Sequence, residues 1–142
     1  MGRWYNPMMQ WLLRSPWHGM LSGNTLLVSF AGRKSGKRFA IPVNYARDGD
    51  TFYATSLRES TWWRNLRGGA PVTLRVQGKD VSGRGEVMAD GDAVVEGLTR
   101  YFETAPVYAK YYGVHLDANG RPDAADIARV ARERVVVRVH LN

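Results

Sequence analysis

The sequence predicts an α+β chain that is mainly β, folded as a small, mostly antiparallel barrel of about six strands with flanking helices. Two observations carry this. Short apolar or alternating runs recur with turn residues between them, and the helical runs show no regular βαβ alternation. A third sets the scale: 142 residues, 44% of them hydrophobic, suffice for one core and leave no room for two, so residues 1–142 are expected to form one domain.

In chain order, residues 4–21 read as helix within an N-terminal helical segment, 1–22. Met8, Met9, Trp11, Leu12 and Leu13 stand at roughly helical spacing between Pro7 and Pro16. A near-continuous apolar strand follows, Thr25 to Ala31, and Gly32 to Lys37 turn the chain. The next run alternates, with Phe39, Ile41, Val43 and Tyr45 on one face and Ala40, Pro42, Asn44 and Ala46 on the other. Pro42 cannot donate to a ladder, which predicts an edge strand or a bulge. Asp48-Gly49-Asp50 is a hairpin turn, and Thr51 to Ser56 pairs back across it. A short helix is expected from Ser60 to Arg67, capped by Ser60 or Thr61 and stopped by Gly68-Gly69. Strands at 72–76 and 81–88 are joined at Gly78-Lys79-Asp80. Helix is expected at 94–102, again from Pro106 through Tyr108, Tyr111 and Tyr112, and from Pro122-Asp123 to Arg132. The last strand alternates through Val135, Val137, Val139 and Leu141.

The charge is unevenly placed. The net charge is +7, and no acidic residue precedes Asp48, whereas seven Lys and Arg residues do. Four of those seven fall in 33–38, so this turn could meet any polyanion: a phosphorylated cofactor, nucleic acid or anionic lipid. Cysteine is absent, which removes disulfides, thiolate metal sites and a Cys nucleophile. No apolar run approaches the ~20 residues of a spanning helix, and no secretory signal pattern opens the chain; a cytoplasmic location is the expectation.

The Gly32-Arg33-Lys34-Ser35-Gly36 turn is the sharpest motif. Glycines let a ligand approach the backbone, successive amides can form an anion nest, and Arg offers a forked donor to phosphate. The same residues suit an ordinary exposed basic hairpin, and composition does not separate the two. The Gly-x-x-x-x-Gly-Lys-Ser spacing of a P-loop is missing. Trp62, Asn65 and Leu66 fall on one face of the short helix, where tryptophan could seal the barrel or flank a ring system. His18, His115 and His140 are scattered, which predicts no metal site, and Ser35 and Ser56 lack a nucleophile elbow. An enzyme built from these parts would take its chemistry from a cofactor.

Taken in order, Gly32 to Gly36, Pro42, Tyr45, Asp48-Gly49-Asp50, Ser56 and Trp62-x-x-Asn65-Leu66 resemble the deazaflavin-dependent nitroreductase family of actinobacteria. Its members are split β-barrels that use coenzyme F420. The resemblance runs from Leu26 to Met88 and continues more weakly toward the C-terminus. It implies that Arg33, Lys34 and Ser35 contact the phosphate and polyglutamate tail of the cofactor, and that Gly36 keeps the turn tight. Pro42 would shape the strand beneath the deazaflavin, and Ser56, Trp62 and Asn65 would line its phosphate and ring region. Tyr45 is the family's strand-end aromatic. Tyr108 and Tyr111 resemble its tyrosine-bearing substrate wall, with either as a proton donor. The family places an Arg where this chain has Phe39; Arg38 stands one position earlier, and alternation sends the two to opposite faces. The segment between Ser56 and Trp62 is also short.

The function implied is hydride transfer from reduced F420 to a small-molecule electron acceptor: a quinone, a nitroaromatic or an activated enone. Two other readings are kept: an FMN-using barrel, and a non-catalytic carrier of a lipid or other anionic ligand. In the latter, residues 1–20 would give peripheral membrane contact; those residues could equally cap the barrel or a homodimer contact. No nucleic-acid motif appears.

Overall fold

The apolar run after Asn24 forms the first strand, β1 (Thr25–Ala31), as its β-branched and aromatic content predicts. The computed structural model describes residues 25–142, so the expected N-terminal helical segment lies outside the described residues. Six more strands follow: β2 (Arg38–Asn44), β3 (Ala46–Asp48), β4 (Thr51–Leu57), β5 (Ala70–Val76), β6 (Lys79–Met88) and β7 (Arg134–Leu141). All pair antiparallel in one sheet of order β2-β1-β5-β6-β7-β4-β3.

Seven strands rather than about six result because the alternating run breaks at Tyr45. β2 pairs with β1 and β3 pairs with β4, at opposite ends of the sheet order. One residue therefore joins the two edges, and the sheet must curl until they meet. The fold is a mainly β, curled half-barrel of the split-barrel type. Pro42 sits opposite Leu27 on edge strand β2, where a missing N–H costs no inner ladder bond.

The sheet has two apolar faces. Inside the curl, Leu26, Val28, Phe30, Phe52, Leu74, Val135 and Val137 form one core, sealed by Trp63 and Leu66. On the outer face, Tyr53 and Val136 pack against α1 (Gly91–Thr104) and α2 (Ala124–Glu133), with Leu98, Tyr101, Phe102, Ile127 and Val130 between. β7 is therefore buried on both sides, not on the alternating side alone. In α2 the side chain of Asp123 accepts from the Asp126 amide (3.1 Å) and caps the helix. Arg58 donates to the carbonyls of Ala131 and Ala89 (2.7–3.0 Å), fastening the end of β4 to α2 and to the exit of β6.

Other boundaries moved for local reasons. The segment after β4 is a 3₁₀ helix, Trp62–Leu66, with Thr61 at its N-cap but no side-chain cap bond. Pro106–Tyr112 is also 3₁₀ and ends on Gly113, in the left-handed region (φ 68°). The β5–β6 turn is Gln77-Gly78 (φ 49° and 81°), tighter than expected, because Lys79 already pairs with Val76. No described helix is long and apolar enough to cross a membrane.

Candidate functional site

The basic turn between β1 and β2 is held from within. The Gly36 amide donates to the Gly32 carbonyl (2.9 Å), the Gly32 amide to the Lys37 carbonyl (2.7 Å), and the Lys37 amide to Ser35 Oγ (3.1 Å). Gly36 is left-handed (φ 70°), and a Cβ at Gly32 would stand 2.8 Å from the Phe39 ring. Arg33, Lys34, Ser35 and Arg38 are all exposed. Lys34 and Lys37 make no side-chain hydrogen bond or ion pair with another described residue. Phe39, standing where the resembled family has Arg, stacks on Phe30 (5.8 Å), and Phe30 in turn meets Trp62 (6.0 Å). The turn is thus backed by three aromatic rings.

The first 3₁₀ helix docks on this turn. With about three residues per turn, Trp62 falls in line with Asn65, and Trp63 with Leu66. Trp63 and Leu66 are the buried pair, which corrects the expected grouping of Leu66 with Trp62 and Asn65. Asn65 Oδ1 accepts from the Arg33 amide (3.0 Å) and its Nδ2 donates to the Trp62 carbonyl (2.9 Å). Arg33 Nε donates to the Asn65 carbonyl (3.0 Å), and its Nη2 donates to the Arg67 carbonyl. Three of the five guanidinium N–H groups remain for another partner. Ser56 is buried at the end of β4, opposite Val135, and its Oγ donates to the Leu57 carbonyl (3.2 Å). Trp63 Nε1 donates to the same carbonyl (3.1 Å), so Ser56 lies where the 3₁₀ helix meets the strand.

At the other end of β2 an open cleft of about 410 Å³ is lined by Asn44, Tyr108, Tyr111, Tyr112 and Arg134. The buried Tyr108 hydroxyl donates to the Tyr45 carbonyl (2.8 Å), pinning the second 3₁₀ helix to the joint between the sheet edges. Burial raises the Tyr108 pKa above its ordinary 10.0, and the nearby Tyr45 adds to the rise. Tyr111, by contrast, is 73% exposed. The Tyr112 hydroxyl meets Thr55 Oγ1 (3.0 Å), and Arg134 Nη1 also donates to Thr55 Oγ1 (3.2 Å).

The expected site residues therefore fall into two groups. Arg33, Lys34, Ser35, Gly36 and Arg38 share the basic corner with Trp62 and Asn65; Tyr45, Tyr108 and Tyr111 gather at the cleft; Pro42 lies on the strand between them. Sequence reasoning missed Asn44, Thr55 and Arg134 and gave Tyr112 no role in the site. Arg134 follows Arg129 and Arg132 in a helix-ending charged run, and nothing local distinguishes it.

A curled antiparallel sheet with helices on its outer face, a basic turn at one corner and an aromatic cleft at another define a split-barrel protein. Solved structures bear out the fold. A candidate pyridoxamine 5′-phosphate oxidase from Listeria innocua superposes with a TM-score of 0.55 at 12% identity, covering 88% of this chain and 90% of its own. A conserved hypothetical protein from Mycobacterium tuberculosis gives 0.55 at 18%, covering 87% and 76%. The FAD and heme binding protein from Mycobacterium smegmatis gives 0.51 at 18%, covering 84% and 61%. Among curated proteins none matches. The sequence model of the F420H2-dependent quinone reductase family matches residues 14–115, and the chain belongs to that family. It is thereby placed among F420-dependent oxidoreductases.

Proposed function

We propose that this chain binds reduced F420 across its basic corner and reduces a quinone at the tyrosine-lined cleft; nitroaromatics and activated enones are acceptors of the same electrophilic class. The observation that carries the reading is that the family match, 14–115, spans the basic turn, β2, the docked 3₁₀ helix and the tyrosine-bearing segment together.

The donor set at the turn suits the anionic half of such a cofactor. Lys34 and Lys37 offer exposed ammonium groups, Arg33 keeps three N–H donors, and Ser35 keeps its hydroxyl hydrogen while accepting from Lys37. Arg33, Lys34, Ser35 and Arg38 would hold the phosphate and carboxylates, with Gly36 keeping the turn tight. Pro42, Ser56 and Trp62 would frame the ring system, and Asn65 would hold Arg33 in place from behind. Bound there, reduced F420 would supply a hydride from its C5 atom. The protein's part is positioning and proton supply. The raised pKa of Tyr108 and its bond to Tyr45 make it a poor acid, so the exposed Tyr111 hydroxyl or water delivers the proton.

Titration of the purified protein with F420 tests this directly. A dissociation constant in the micromolar range is expected; one above about a millimolar overturns the assignment. Loss of the reduced-F420 signal on adding menadione then tests the acceptor. Yellow protein carrying an FMN spectrum would favour the flavin alternative. Co-sedimentation with anionic liposomes, with and without residues 1–20, tests the peripheral membrane contact, and light scattering tests for a homodimer.

A further inference from the structure

We infer that Arg134 anchors a negatively charged ring oxygen in the tyrosine-lined cleft, so that the cleft favours aromatic ligands bearing anionic oxygen over neutral ones of the same shape. This rests on the acceptor reading above for its role in turnover, but not for the binding itself.

Arg134 opens β7, opposite Leu57. Its guanidinium lies over the Tyr112 ring, 4.9 Å from the centroid, and Nη1 donates to Thr55 Oγ1 at 3.2 Å. Thr55 Oγ1 is itself tied to the Tyr112 hydroxyl at 3.0 Å, so a ring face and a hydroxyl fix the cation from two sides. Arg75, Arg129 and Arg138 each pair with a carboxylate; among the described residues Arg134 has none within ion-pair distance. For a partly buried cation that lacks a counter-ion, one ring face and one hydroxyl replace only part of the hydration lost. Because it also lines a cleft of about 410 Å³, the missing charge is one that a ligand can supply. Four of its five N–H groups remain for that partner. Across the cleft, Asn44 Oδ1 accepts from Thr25 Oγ1 (3.0 Å), which leaves its amide hydrogens for a second ligand oxygen.

The chemistry fits the cleft. When a quinone takes a hydride from the reduced deazaflavin, the two electrons leave one ring oxygen as a phenolate until a proton completes the hydroquinone. The deazaflavin is oxidised in the same step. The Arg134 guanidinium, lining the cleft, would stabilise that charge as it develops. The basic turn is a separate attractor: Arg38 and Asn44 bound a seven-residue strand, about 20 Å at ~3.3 Å per residue.

The test uses the full chain without cofactor and two isosteric probes, 2-naphthoate and 2-naphthamide, titrated by calorimetry at fixed ionic strength. Naphthoate should bind about tenfold more tightly, the discrimination expected of one charge-assisted contact. Arg134→Gln should abolish the preference and Arg134→Lys should keep part of it, with circular dichroism confirming the fold. Equal affinities in the unaltered protein, or no binding of either probe, would overturn the inference even if Arg134→Gln failed to fold. So would a preference that survives Arg134→Gln and disappears in Lys34→Gln, because that puts the anion on the turn. F420 titration reads the cofactor site independently, so either proposal can fail without the other.

Discussion

Asn65 commits its amide to the turn rather than to open space: one end receives the Arg33 amide and the other meets the Trp62 carbonyl. Asn65→Ala should therefore destabilise the fold by about 1 kcal/mol and weaken F420 binding several-fold, read by urea denaturation and cofactor titration. The sequence marked Asn65 as a site residue but not what it holds, because its partner lies 32 residues away. Asp126 makes a second residue-scale case. It accepts from the His115 amide (2.9 Å) and lies 2.8 Å from the His115 ring, and these contacts hold its pKa below 3.8. A folded value below the unfolded one stabilises in full above pH 3.8, and the benefit is lost as pH falls through the depressed value. Urea midpoints followed from about pH 6 down to about pH 2 should fall less steeply in Asp126→Asn.

Elements obeyed local pattern where a single period governs them. β1, the Gly49-Asp50 hairpin and the Asp123-capped α2 were all legible, since apolar alternation, turn residues and capping act within a few residues. The 3₁₀ segments are legible in the sequence only as helix, because five to seven residues do not separate a period of 3.0 from 3.6. Gly83 shows what spacing hides. It lies in β6 opposite Leu141, and a Cβ there would stand 2.5 Å from the His140 carbonyl oxygen, a backbone atom that cannot swing aside. Gly83→Ala should cost about 2 kcal/mol and loosen β6–β7 pairing, seen as faster hydrogen exchange along β7.

Across the whole molecule, one joint links the barrel to its helical cover. The Tyr108 hydroxyl bonds to the carbonyl of Tyr45, the residue where the two sheet edges meet. Tyr108→Phe should lower stability by about 1 kcal/mol and the melting temperature by about 3 °C. Burial raises its pKa above 10.0, so its contribution is complete below pH 10.0 and declines as pH rises through the folded value; the variant should show a gentler alkaline limb. The charge asymmetry acts at the same scale. With the whole excess of +7 lying ahead of Asp48, F420 affinity should fall by about tenfold between about 50 and 500 mM salt, checked by repeating the titration.

By itself the sequence determined the β-rich class, most strand positions and the basic corner, and its ordered motifs resemble a family that uses F420. The first three depend on neighbours in the chain, on alternation, turn chemistry or a cluster of like charge. Only the tertiary structure decided that Tyr45 splits one run between both edges of the sheet, and that Asn65 lies behind Arg33. It alone brought Arg134 beside Thr55 and Tyr112, residues from three distant segments. Such juxtapositions come from the curl of the sheet, which places residues by pairing register and closure rather than by separation along the chain.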